Sequence, residues 1–180
     1  MKKLTRTLES ATRKKIDLIL SNLGWDVEEH SRNCNVFTER AKTIEQNKKL
    51  KGKKPDYVLY ESKTDNPIAV IETKRIGKSL KKALIQAVDF YAVPLSVPII
   101  FVTDGAIVET YDIRSGEHLK LDGNLITDFL TEEQLLKFFK LGSSIFSSEK
   151  VTYTKRELIK IFSEANDLLR KEGIREGIER

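Results

Sequence analysis

Apolar residues recur along this chain with two periods, and each change of period marks an element. From 5 to 23 the spacing is helical: Ile16, Leu20 and Leu23 share one face, flanked by Leu8 and Ile19. Gly24 follows the last apolar position and predicts the stop. Residues 25–29 alternate through Trp25 and Val27 and predict a short strand or an extended entry. Residues 33–40 are a weaker strand candidate, through Val36 and Phe37. The stretch 42–54 is polar and basic and predicts a solvated loop. Residues 57–60 and 68–71 are apolar with little alternation, which predicts strands covered on both faces. Turn chemistry at 62–66 and Pro67, which suits a strand's first position, join them as a hairpin.

Further on, Ser79 is placed to cap a helix from 80 to about 93. Its apolar stripe is Leu80, Leu84, Ala87, Val88 and Tyr91, and Pro94 and Pro98 bracket its end. Residues 98–103 read as a buried strand, Asp104-Gly105 as a tight turn, and 106–113 as another strand. Thr131 with Gln134 resembles a capping box for a helix through Phe139, stopping near Gly142. Residues 1–141 thus read as one domain, and 142–153 as a linker that begins Ser-rich. Residues 154–180 read as a helical extension leading into a further domain outside this chain. Thr154 with Glu157 caps that extension, and its stripe is Leu158, Ile161, Phe162, Ala165 and Leu169.

Composition narrows the classes. A net charge of +5 suits nucleic acid without requiring it, because acidic residues are also plentiful. The single cysteine, Cys34, rules out an internal disulfide framework. With only His30 and His118 beside it, a zinc site is a poor expectation. No apolar run is long enough to span a membrane, and the charged N-terminus does not read as a secretory signal. A cytoplasmic protein is expected.

The informative polar residues are those where a core would not want them. Asp56 opens the first strand of the predicted hairpin; Glu72 and Lys74 close the second and share one face of it. Folding about 63–66 brings Asp56 opposite 72–74. Glu9 lies seven, eleven and fourteen positions before Ile16, Leu20 and Leu23, on the inward stripe of the first helix. Two carboxylates beside a lysine suit phosphodiester hydrolysis, with Asp56 and Glu72 as ligands to Mg2+ and the Thr73 carbonyl as a further oxygen. Lys74 would orient or deprotonate the attacking water, and Glu9 would hold a second ion or a bound water. The plainer readings stand beside these. An acid two residues before a lysine is a common pattern, and Glu9 can pair with Arg13. Lysine runs such as Lys48, Lys49, Lys51, Lys53 and Lys54 are most often solvated loops. Together with Arg75 and Lys78 they are also candidate phosphate contacts.

From the first helix to about Asp112 the chain resembles the PD-(D/E)xK nucleases, and within them the N-terminal nuclease domain of type I restriction enzyme R subunits. The residues that carry this are Glu9 and Arg13, Ile16-Asp17, Gly24-Trp25, 55–59 and 69–74, then Gln86-Ala87, Tyr91-Ala92 and 98–105. The resemblance implies an α/β fold (α+β by some schemes) with a restriction-endonuclease-like core, a central mixed sheet flanked by helices. It implies one or two Mg2+ ions and double-stranded DNA as substrate, within a restriction–modification complex. An ATPase or adenine methyltransferase and a specificity subunit would complete that complex, since neither a phosphate-cradling loop nor a methyltransferase motif occurs here. The family often carries a glutamine and a tyrosine four apart after the lysine. Here Gln86 and Tyr91 are five apart, which on an ideal α-helix puts Tyr91 on the core stripe and Gln86 off it. Two other readings remain open: a non-catalytic nucleic-acid-binding or assembly module on the same fold, and a nuclease of repair or transposition.

Overall fold

The apolar runs form the middle of a six-stranded sheet. The computed structural model describes residues 2–76, 78–121 and 124–146, and the side chains of 12–76, 78–121 and 124–139. Strands β1 (Val36–Thr38), β2 (Tyr57–Tyr60), β3 (Pro67–Thr73), β4 (Ile99–Thr103), β5 (Val108–Asp112) and β6 (Glu117–His118) lie side by side in chain order. β3 and β4 pair in parallel and every other neighbour is antiparallel, so the sheet is mixed. Every residue of β2 and of β4 is buried, in keeping with their unbroken apolar sequence.

Side chains alternate across the sheet and divide the core in two. Tyr57, Leu59, Ile71, Ile99 and Phe101 face α1 (Lys2–Asn22), through Ile16 and Leu20, and α5 (Glu132–Phe146), through Leu135. Val58, Tyr60, Val70, Ile100 and Val102 face α3 (Leu80–Ala87), through Ala83 and Ala87. Small residues on α3 let it approach the sheet closely. Each large apolar side chain so buried contributes about 1.5–3 kcal/mol relative to exposure.

Several sequence expectations need correction. Of the two readings of residues 25–29, a short strand or an extended entry, the strand does not form. Trp25 is buried, but its Nε1 donates to the Leu130 carbonyl at 2.9 Å, and the Asp26 N–H is met by Asn35 Oδ1 at 2.8 Å instead of by a ladder. The candidate at 33–40 shrinks to β1, which ends before Glu39, a residue at φ 56. The basic stretch 42–54 contains a helix, α2 (Ile44–Lys49). Its cap is reciprocal: Thr43 Oγ1 accepts from the Gln46 N–H and Gln46 Oε1 from the Thr43 N–H, both at 3.2 Å. The strand expected at 106–113 starts only at Val108, because Asp104 Oδ1 accepts from the Ala106 and Ile107 N–H groups and prolongs the turn. Ser79 occupies the N-cap of α3 without a side-chain bond. The capping box at Thr131 and Gln134 forms as expected. α5 runs through Gly142 to Phe146, since an interior glycine costs a helix only about 1 kcal/mol. The linker expected at 142–153 therefore begins as helix; its remainder and the extension at 154–180 lie outside the described residues, as does the Glu9 side chain.

After α3 the helix changes type. Residues Val88–Ala92 form a π-helical turn, and α4 (Val93–Leu95) completes the connection to β4.

Candidate active site

The hairpin register pairs Tyr57 with Ile71 and Val58 with Val70, so Asp56 arrives beside Glu72 and Thr73. Thr73 fixes it there: its backbone N–H and its hydroxyl each donate to Asp56 Oδ2 at 2.8 Å. Arg13, from α1, places NH2 3.2 Å from Asp56 Oδ1 and NH1 2.7 Å from Glu39 Oε1.

Alternation along β3 turns Glu72 and Lys74 to the α3 side of the sheet. Glu72 is 3% exposed. Lys74 Nζ lies 2.5 Å from its Oε1 and also donates to Gln86 Oε1 at 3.1 Å. The Gln86 amide nitrogen donates to the same Glu72 oxygen at 2.7 Å and to the Tyr91 hydroxyl at 3.2 Å. One amide thus serves the carboxylate, the lysine and the phenol. Burial pushes the Glu72 carboxyl up to about 7; the Lys74 hydrogen bond opposes the rise and the charge of Asp56 adds to it.

The expectation that Gln86 stands off the Tyr91 face is overturned. On an α-helix five residues leave two side chains about 140° apart. The π turn takes up the extra residue and returns Tyr91 to the face of Gln86. π turns are common at functional sites, and the five-residue interval was itself the signal that an α-helix could not satisfy both residues.

These side chains open onto a cleft of about 1240 Å³. Its lining includes the cations Arg13, Lys54, Lys74, Arg75, Lys78 and Lys82 against the acids Glu39, Asp56 and Glu72. Of the sequence-predicted phosphate contacts, Lys54, Arg75 and Lys78 line it; Lys48, Lys49, Lys51 and Lys53 do not. Lys53 instead lies over the Phe90 ring, 4.5 Å from its centroid. Lys82, Arg13 and Glu39 were not foreseen as lining residues. Lys78, Lys82 and Gln86 are spaced by four, a helical signal that would have found Lys82.

Among the described residues no three or more His, Cys, Asp and Glu side chains group as metal ligands. Mg2+ does not require three: it is commonly held by one or two carboxylates and retained waters. Asp56 and buried Glu72 supply hard oxygen donors on one cleft, and the charge of Asp56 adds to the cost of ionising Glu72, so the donor set fits such an ion.

No protein-family model and no curated protein matches the chain. Among solved structures it is similar to a fragment assigned as an HsdR subunit of a type I restriction enzyme from Vibrio vulnificus YJ016, with a TM-score of 0.50 and 22% identity. The fold is restriction-endonuclease-like. The match covers 71% of this chain but 24% of that one, so the chain spans about a quarter of its structural neighbour.

Proposed function

We propose that this chain is a Mg2+-dependent nuclease domain of the PD-(D/E)xK type, cleaving double-stranded DNA in a restriction–modification system. The observation that carries the reading is Lys74 Nζ held 2.5 Å from buried Glu72, with Asp56 alongside, on a cleft rich in cations. Asp56, Glu72 and the Thr73 carbonyl would hold the ion, and Glu9 a second. When bound, Mg2+ supplies positive charge to the phosphate and favours ionisation of water. Lys74 orients the attacking water and stabilises charge as oxygen bonds to phosphorus and the phosphorus–oxygen bond to the leaving strand breaks. Gln86 holds Lys74 and Glu72 in register, and Tyr91 steadies Gln86. Arg75, Lys78, Lys82 and Lys54 meet the DNA backbone. Residues 1–141 would form the nuclease domain, with translocation or methylation and sequence recognition supplied by other domains or subunits.

Plasmid nicking in Mg2+ tests this. Lys74→Ala is expected to lower the rate by about 10²- to 10⁴-fold. Equal nicking by both proteins overturns the assignment.

A second reading is a DNA-binding module without catalysis. It is favoured by Arg13 and Lys74 already pairing with the two carboxylates. It expects salt-dependent DNA binding that Asp56→Asn leaves unchanged, and no Mg2+-dependent cleavage.

A further inference from the structure

Asp56 does not offer its two oxygens equally. Oδ2 accepts two hydrogen bonds from one residue, the N–H and the hydroxyl of Thr73, both at 2.8 Å. Those bonds occupy the directions in which a carboxylate oxygen accepts best. Among the described residues Oδ1 meets only Arg13, at 3.2 Å, and Arg13 is held more closely by Glu39, at 2.7 Å. Asp56 is therefore clamped on one side and loosely neutralised on the other.

We propose that Thr73 is a positioning residue that restricts Asp56 to binding a divalent cation through Oδ1 alone, and that Arg13 is the group which yields that oxygen. The inference rests on the metal-dependent reading above. It follows from the pairing: Thr73 directly follows Glu72 at the end of β3, and its N–H and hydroxyl together meet Asp56 Oδ2. A residue between two site groups thus acts on the third. The backbone N–H would be present with any side chain except proline; the hydroxyl is what threonine adds. Arg13, with its guanidinium shared between Asp56 and Glu39, can leave Oδ1 without losing its other partner.

Thr73 and Arg13 should consequently move cation affinity in opposite directions. The probe is Mn2+, which prefers the same oxygen donors, titrated into the 180-residue chain without DNA and followed by the spectroscopic signal of free Mn2+. Thr73→Val, of the same shape but without the hydroxyl, is expected to weaken Mn2+ binding roughly 10- to 100-fold. Thr73→Ser keeps the hydroxyl and is expected to restore most of it. Arg13→Gln is expected to tighten binding. Circular dichroism in EDTA verifies that each variant folds, and Thr73→Ala replaces the valine variant if that one does not. Unchanged affinity in the hydroxyl-free variant, with Mn2+ bound by the unaltered chain, overturns the role of Thr73 and leaves the nuclease reading standing. Weaker binding by Arg13→Gln overturns the role of Arg13. Absence of Mn2+ binding by the unaltered chain removes the metal-dependent reading and this inference together.

Discussion

Glu72 sits where a carboxylate is least comfortable, at the end of a buried strand with Asp56 close by. Its proton is retained up to about 7 in the folded chain, whereas an ordinary glutamate gives it up near 4.5. Between those values the folded state binds more protons than the unfolded state, so stability falls as pH rises through that window. Unfolding in urea with EDTA present is expected to show a loss on the order of 2 kcal/mol between pH 4.5 and pH 7.5 from this group. Glu72→Gln should remove most of that slope; an unchanged slope would mean that another group sets it. The same residue explains why Gln86 and Lys74 crowd one of its oxygens. Each donor compensates part of the burial, and a bound cation would take over that task.

At the scale of elements, the β4–β5 turn is fitted against α1. Gly105 has φ +86, and a Cβ there would lie 3.1 Å from Thr12 Cγ2, while Lys15 Nζ caps its carbonyl at 2.7 Å. Gly105→Ala is expected to destabilise the chain by about 1–2 kcal/mol from the left-handed backbone alone, read as a lower urea midpoint. No change in midpoint would show that the turn relaxes away from α1. This turn was legible in the sequence as Asp104-Gly105, as were β2, β3 and β4, because strands buried on both faces leave continuous apolar runs. Less legible were elements held by polar contacts. The alternation at Trp25 and Val27 looked like a strand, yet Asn35 replaces the ladder there. α2 buries none of its own residues, so it left no apolar stripe; only Thr43 and Gln46 announced it. The convergence of Asp56, Glu72 and Lys74 could be read from hairpin register, whereas Arg13 and Glu39 reach the cleft from separate elements that no local pattern links.

For the molecule as a whole, the cleft is more basic than its three acids alone would suggest, and its cations come from several elements. If duplex DNA lies across it, log affinity should fall linearly with log salt. Replacing Lys82 or Lys54 by alanine should then reduce that slope by about one for each phosphate no longer met, across unrelated sequences. A slope that either change leaves intact would place the DNA elsewhere.

The π turn has a consequence at this scale too. It stores one residue more than an α-helical path would need and confines the surplus to Val88–Ala92. The strand before it and the strand after it keep their parallel partners, Ala69 with Ile99 through Thr73 with Thr103. Deleting one residue there is expected to return the turn to α-helix and to leave the pairing of β3 with β4 in place. With one residue fewer, Gln86 and Tyr91 would stand four apart on an α-helix, about 40° from each other, so the amide and the phenol would still share a face.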